Sequence, residues 1–478
     1  MPDFCVQEVI CQVQGDTIAA IATPLGTGGI GIVRISGVEA ISVAAAVFRP
    51  ARGGAVENTA GYRVRYGHVI DHNGAVIDEA LLLLMRQPRS YTGEDSAEIS
   101  CHGGLVAVRR VLETVLAAGA RLAKPGEFTQ RAFLNGRIDL AQAEAVVDLV
   151  RAGTERSAQV AMQQLHGELS RHIAQLREAL IGLVARFEAM LDFPEEEETA
   201  GNMRALGDSL STLRCQVEAL LESARTGRIL REGLKVVIAG KPNVGKSSLM
   251  NALLRQNRAI VTDIPGTTRD LLEESINVSG IPMVLLDTAG INETDDPVER
   301  IGVQRSRESL LAAELVLFVV DDALGLDQRD TEVAEAIGAR PTLVVINKLD
   351  LGRRLVDDTV KDLVVKPIGI VRVAAKNGQG LDRLRNMIAG FVEQGLQISQ
   401  RFEATDERPI VSNVRHVDAL RGTSDFLQAA LAGIQNGMPV DLILIDLYHA
   451  LDRLGEISGE TVREDIIDRI FADFCLGK

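Results

Sequence analysis

The chain has 478 residues, too many for one hydrophobic core, so roughly three domains are expected. Hydrophobic residues make up 46% and mean hydropathy is +0.10, which excludes bulk disorder; aromatics are only 3% and Trp is absent, so the cores must be aliphatic. A balance of 51 basic against 66 acidic residues gives a net charge of −15, which excludes a simple basic nucleic-acid binder. Any RNA substrate therefore needs a local patch or a partner protein.

The N-terminus carries Asp3 and Glu8 and no Lys or Arg before Arg34, unlike a signal peptide, and no apolar run approaches the ~20 residues of a bilayer span. Cys5, Cys11, Cys101, Cys215 and Cys475 form no CxxC and no His/Cys cluster. That argues against zinc and a disulfide framework, and for a reducing, cytoplasmic compartment. Residues 17–135 mix the β-like runs Ile30–Ile35, Ala80–Met85 and Ala97–Cys101 with Gly and Pro, and read as α/β or α+β. Gly26, Gly28 and Gly31 satisfy the GxGxxG dinucleotide fingerprint, yet the strand-like Ile32–Ile35 follows where a helix is required, so NAD binding is rejected.

From Gly126 to Phe193 there is no Pro, and Leu165, Leu169, Ile173, Leu176, Leu180, Leu183, Phe187 and Leu191 recur on one face of a long helix. Pro194 and the acidic Glu195–Glu198 end it. Residues 234–390 alternate apolar runs (LKVVIAG, IPMVLLDTAG, ELVLFVVD, TLVVINKLD, VRVAAKNG) with helical stretches, the pattern of a doubly wound α/β domain. Residues 415–474 return to helix, with Leu447, Leu451 and Leu454 on one face. Helical segments on both sides suggest one helical domain into which the α/β domain is inserted.

Gly240-Lys-Pro-Asn-Val-Gly-Lys-Ser247 follows an apolar strand and precedes a helical run, which is GxxxxGKS in the context it needs. Its glycines let backbone N–H groups close around phosphate at a helix N-terminus. Lys246 is placed to reach the β- and γ-phosphates and Ser247 to ligate magnesium. Asp287-Thr-Ala-Gly290 supplies a carboxylate for magnesium through water and a Gly290 N–H for the γ-phosphate. Asn347-Lys-Leu-Asp350 supplies a carboxylate that pairs with the N1–H and 2-amino group of guanine, and Ala374, Ala375 and Lys376 fit the loop against the base. Four elements in this order imply a GTPase. The residue after Gly290 is Ile291, which neither orients water nor supplies charge. Candidates for those tasks lie in the oxygen-rich stretch Thr262–Asp270 and in Glu293–Glu299. Asn243 offers a neutral carbonyl oxygen suited to a monovalent cation, or serves simply as a turn former.

Over essentially its whole length the sequence resembles the MnmE (TrmE) family of bacterial tRNA-modification GTPases. The matching segments are Ala22–Ser36, Tyr91-Thr-Gly-Glu-Asp95, Cys101-His-Gly-Gly104, Arg121–Asp139, the P-loop domain and the terminal Phe474-Cys-Leu-Gly-Lys478. The resemblance implies an α/β (α+β) N-terminal folate-binding and dimerisation domain (1–135), a discontinuous all-α helical domain (136–230 and 393–478) and an inserted doubly wound α/β P-loop G domain (231–392). It also implies potassium- and magnesium-dependent GTP hydrolysis when two G domains of a homodimer meet. With an FAD-dependent partner, MnmG (GidA), in a heterotetramer, and a 5-formyl-tetrahydrofolate or related one-carbon donor, such proteins install an aminomethyl or carboxymethylaminomethyl group at carbon 5 of the wobble uridine of certain tRNAs.

Carried over by position, the resemblance gives Asn243, Thr262, Ile264 and Thr267 as potassium ligands and Ser247 and Thr268 as magnesium ligands. It gives Glu299, with Lys246 and Thr268, as catalytic groups. GTP contacts span Asn243, Val244, Gly245, Lys246, Ser247 and Ser248; Thr262, Asp263, Ile264, Pro265, Gly266, Thr267 and Thr268; Asp287, Thr288, Ala289 and Gly290; Asn347, Lys348 and Asp350; and Ala374, Ala375 and Lys376. Arg34, Glu98, Arg137 and Lys478 are the folate contacts. Ala374 stands where the family usually has Ser, and Arg137 where relatives carry Lys, which keeps charge but changes geometry. Cys475 is a further catalytic candidate, a nucleophile or redox-sensitive thiol, although the sequence shows no pKa-lowering partner for it. The alternative from another class is a non-modifying regulatory GTPase of ribosome assembly related to Era or EngA; those usually carry a basic RNA-binding module.

Overall fold

The computed structural model describes residues 15–192, 199–257, 273–287, 309–352, 354–396, 409–472, 474–475 and 477. Residues 262–268 and 288–290, Glu299 and Lys478, all named above as site residues, lie outside these, as does the side chain of Asp287.

Val33 and Ile35, Leu82 and Leu84, and Ala97 and Ile99 alternate with more exposed neighbours and are buried, which is the period-2 pattern of strands with one packed face. They belong to a seven-stranded sheet, taken here in chain order. It comprises β1 (Ile18–Ile21), β2 (Ile30–Ser36), β3 (Phe48–Pro50) after helix α1 (Ala40–Val47), β4 (Arg63–Ile70), β5 (Val76–Met85), β6 (Ser96–His102) and, after α2 (Leu105–Ala117), β7 (Arg121–Leu122). The spatial order is β3-β4-β5-β6-β2-β1-β7. Ala40, Val43 and Val47 of α1 and Val108, Val111 and Val115 of α2 close the aliphatic core over one face. β2 starts at Ile30, inside the Gly26–Gly31 stretch, so a strand and not a helix runs on from it.

Five helices come next in the N-terminal half and a sixth leads to the second sheet: α3 (Glu127–Leu134), α4 (Leu140–Arg151), α5 (Glu155–Leu165), α6 (Glu168–Asp192), α7 (Thr199–Leu221) and α8 (Ala224–Glu232). The apolar stripe expected as one helix from Leu165 is broken at Gly167. That glycine adopts a left-handed φ of 78° and its N–H donates to Gln164 O, which terminates α5. Leu169 through Phe187 then bury one face of α6 as the spacing implies, while Leu191 is 50% exposed at its end.

The second sheet contains β8 (Leu234–Ala239), β9 (Glu273–Val278), β10 (Ile281–Asp287), β11 (Leu315–Asp321), β12 (Thr342–Asn347) and β13 (Pro367–Arg372) in the order β13-β12-β11-β8-β10-β9. All neighbours pair in parallel except β9, which is antiparallel to β10. Helices α9 (Lys246–Asn257), α10 (Gln328–Ile337), α11 (Asp357–Lys361) and α12 (Leu381–Leu396) alternate with the strands. Val236, Leu285 and Leu317 face one aliphatic core and Val237, Val316 and Phe318 another, so the sheet is buried on both sides. The run VRVAAKNG contributes only its first two residues to β13. The strand begins earlier, at Pro367, and Val373–Lys376 form the loop beyond it.

Three helices close the chain: α13 (Val414–Gln435), α14 (Val440–Ser458) and α15 (Glu464–Ala472). Leu447 and Leu454 are fully buried on α14, with Leu451 half-buried beside them. The chain forms two compact units. One holds the first sheet, α6, α14 and α15; the other holds the second sheet, α7, α8 and α13. Within the first, α14 packs on α6; within the second, α13 packs on α7. Among the described residues, no helix is long and apolar enough to cross a membrane.

Candidate functional site

The strand ends of the second sheet bring the nucleotide motifs together. β8 stops at Ala239 and α9 starts at Lys246, leaving residues 240–245 as the turn between them. Ser247 and Ser248 are exposed on the first turn of α9, where free N–H groups and the helix dipole favour an anion. Asn243 is exposed and adopts a left-handed φ of 65°, a conformation Asn tolerates better than most residues. Gly245 has φ 97°, and a Cβ there would lie 2.4 Å from Asn347 Nδ2, so no side chain fits.

Asn347 and Lys348 tie this turn to the far strands. Asn347 is 2% exposed; its Nδ2 donates to Val244 O at 2.9 Å, and its Oδ1 accepts from Ala375 N–H at 3.1 Å. Lys348 Nζ donates to Asn243 O at 2.9 Å and pairs with Asp321 Oδ2 at 2.6 Å. Burial pushes the Asp321 carboxyl upward, but hydrogen bonds from Lys348 and from backbone amides outweigh it and leave it below the ordinary value. Lys246 Nζ donates to Gly240 O at 2.8 Å and Lys241 O at 3.0 Å. Asp350 is exposed on a short 3₁₀ turn, Ala374 and Ala375 are buried, and Lys376 is exposed on the adjoining loop. Asp287 ends β10, with its Cα opposite Ile238 of β8.

A second cluster lies on the face of the first sheet opposite α1 and α2, beside Phe128 of α3. Arg34 and Glu98 are cross-strand partners on β2 and β6, with Nε–Oε1 at 2.9 Å. The Arg34 guanidinium carbon lies 5.2 Å from the Tyr91 ring centroid and 5.7 Å from that of Phe128. Arg137 stacks on the same Tyr91 ring at 5.2 Å and donates to Tyr91 O. Arg34 also donates to Gly477 O, and Gly126 N–H donates to Cys475 O, so Cys475 and Gly477 lie beside this cluster. Cys475 is half-buried with a free thiol. Three of the four folate candidates are therefore gathered around one aromatic ring.

The same unit holds an ion network centred on the buried Arg131 and Glu127. Arg131, 1% exposed, pairs with Asp16, Glu94 and Glu127, and Arg121 pairs with Asp16 and Glu127. Burial pushes the Glu127 carboxyl upward, but donors from Arg121, Lys124 N–H and Arg131 overcome this and hold it at about 2.

A family model described as the TrmE N-terminus of GTP-binding proteins matches residues 17–137, and one described as the MnmE helical domain matches residues 140–475. The chain belongs to the MnmE family. Curated relatives named tRNA modification GTPase MnmE include that of Geobacillus kaustophilus, 49% identical over 466 residues, which cover 97% of this chain and 99% of the relative. Those of Desulforamulus reducens and Moorella thermoacetica are 47% and 48% identical, each over 97% of this chain and 99% of its own length. Family membership and the motifs on one sheet edge make this MnmE-family chain a P-loop GTP hydrolase.

The sequence assigned a role to neither Tyr91 nor Lys241. Tyr91 lies in a segment that carried the resemblance, but its role as the ring between two arginines depends on a fold that joins residues 34, 91 and 137. Lys241 was masked by its position as a variable residue of GxxxxGKS, where a solvent-facing Lys is the usual expectation.

Proposed function

We propose that GTP hydrolysis in this chain drives modification of carbon 5 of the wobble uridine in certain tRNAs, with a reduced folate as one-carbon donor. The observation that carries this reading is the Arg34–Glu98–Arg137 cluster around Tyr91, on a chain whose other sheet assembles a guanine-nucleotide edge. A pterin presents N–H donors that Glu98 can accept, an aromatic ring that matches Tyr91, and a glutamate tail that suits Arg34, Arg137 and Lys478. We assign the division 1–135, 136–230, 231–392 and 393–478 to the domains named by the resemblance.

In the nucleotide site, Lys246 takes the β- and γ-phosphates and Asp350 reads guanine, with Asn347 and Lys348 fixing the loops around them. Ser247, exposed on the first turn of α9, and Thr268 are assigned to magnesium. The Asn243 backbone oxygen already accepts from Lys348, while its exposed side-chain amide offers the neutral oxygen a potassium ion takes. Thr262, Ile264 and Thr267 complete that set, and Glu299 positions the attacking water. Bound potassium supplies positive charge near the phosphates that Ile291 cannot.

The chain acts as a homodimer through its first domain, with an FAD-dependent partner of the MnmG type supplying redox chemistry and basic surface for tRNA. The net charge of −15 supports that division of labour. Mass spectrometry of wobble nucleosides from cells with and without the gene tests the reading. Loss of the C5-modified uridines on deletion is expected; an unchanged nucleoside profile would move the function to ribosome assembly.

A further inference from the structure

We infer that Lys241 is a positioning residue for GTP hydrolysis, aiming Lys246 through an ion-pair clamp to the buried Asp330 and the more exposed Asp327. Lysine side chains almost always reach water, yet Lys241 is 7% exposed while its neighbours Pro242 and Asn243 are exposed. Its Nζ lies 2.7 Å from Asp330 Oδ2 and 3.0 Å from Asp327 Oδ2, and Asp330 is fully buried.

The two carboxylates are themselves held. They form the capping box at the start of α10: Asp327 Oδ1 accepts from the N–H groups of Arg329 and Asp330, and Asp330 Oδ2 accepts from Asp327 N–H. Lys241 thus fastens the first turn of the phosphate loop to a helix end. On the other side the loop is pinned by β11, since a Cβ on Gly240 would lie 2.4 Å from Val319 O.

The output of the clamp is the direction of two carbonyls. Gly240 O and Lys241 O flank the Lys241 Cα, and both accept from Lys246 Nζ, at 2.8 and 3.0 Å. Rotation of the backbone at Lys241 would turn both oxygens and release the ammonium assigned to the phosphates. A buried ion pair is weak support for stability, because desolvation offsets most of the attraction; here the capping-box hydrogen bonds hold both carboxylates in place around Lys241. Its placement one residue from those carbonyls gives that fixed geometry a catalytic use, since misplacing a phosphate-binding group by ~1 Å costs on the order of a hundredfold in rate.

The inference rests on the assignment of Lys246 to the phosphates, so the test is a cycle on the full chain. Nucleotide affinity and GTP turnover are measured for Lys241→Met, Lys246→Ala and the double variant, with Lys241→Arg and Asp330→Asn alongside. Lys241→Met is expected to lower kcat/KM about tenfold, Lys241→Arg to stay within about threefold, and Lys241→Met to add nothing once Lys246 is Ala. An equal loss in the Lys246→Ala background would make Lys241 merely structural and overturn the inference, as would unchanged turnover in Lys241→Met. If Lys246→Ala itself leaves affinity and turnover intact, the assignment of Lys246 fails, and the clamp with it. Should Lys241→Met fail to fold, Asp330→Asn, which keeps the side-chain volume and a capping oxygen, carries the same cycle.

Discussion

Lys348 Nζ lies 2.9 Å from the backbone oxygen of Asn243, so the guanine motif and the left-handed turn of the phosphate loop form one hydrogen-bonded unit. On the proposed reading, base and phosphates are contacted from one hydrogen-bonded edge. Asp350 stands exposed two residues beyond Lys348, which leaves its carboxylate open to a base. Asp350→Asn is expected to weaken GTP and favour xanthosine triphosphate, which presents an acceptor where guanine presents a donor. Sites built to pair such donors discriminate by about 10⁴–10⁵. Competition of the two triphosphates against labelled GDP checks this; an unaltered preference for GTP would remove Asp350 from base recognition.

Asn243 leads to a salt prediction. Its backbone oxygen accepts from Lys348, and its exposed side-chain amide oxygen is the group proposed to ligate a cation. Hydrolysis should be fast in potassium and slow in sodium, and Asn243→Ala should abolish the difference. An arginine finger is worth about 10³–10⁵ in rate, and a fixed potassium is expected to replace part of that. Equal rates in both salts would contradict the assignment.

Arg34 and Glu98 give the folate prediction. They pair across β2 and β6 within the first unit, whereas the nucleotide motifs belong to the second. Arg34→Ala and Glu98→Ala should each abolish binding of 5-formyl-tetrahydrofolate and leave GTP turnover nearly intact. Tyr91→Leu should weaken binding as well, since it removes the ring on which both arginines stack. Calorimetry with unchanged folate affinity in the Arg34 and Glu98 variants would place the pocket elsewhere.

Much of this was legible beforehand for a physical reason. The strands of the second sheet are apolar on both faces and the motif residues sit at their ends, so local pattern and function coincide in LKVVIAG–GKPNVGKS and TLVVIN–NKLD. β9 escaped notice because an edge strand buries only part of its residues, and EESINV carries just Ile276 and Val278 as fully buried apolar groups. The break at Gly167 was hidden by a stripe that continues in phase across it. Tyr91 between two arginines and Lys241 under α10 are tertiary placements, which periodicity does not encode.

The Glu127 network yields a pH dependence. Despite burial, which raises it, the Glu127 carboxyl is held at about 2 by Arg121, Lys124 N–H and Arg131, against an ordinary 4.5. A depressed folded-state value means stability that is present above about pH 4.5 and lost as the pH falls toward about 2. Glu127→Gln should therefore lower the urea midpoint at pH 7 and lower it less at pH 3. Equal deficits at both values would show that Glu127 contributes shape and not charge.

The central claim is that GTP turnover and the folate cluster serve one reaction on tRNA. The most direct measurement is mass spectrometry of wobble nucleosides from cells whose only copy carries Glu299→Ala, with GTP hydrolysis and nucleotide affinity of the purified variant determined in parallel. We predict retained affinity, slowed hydrolysis and a matching fall in C5-modified wobble uridine. Normal modified-uridine levels alongside abolished hydrolysis would contradict the account and leave the ribosome-assembly reading in front.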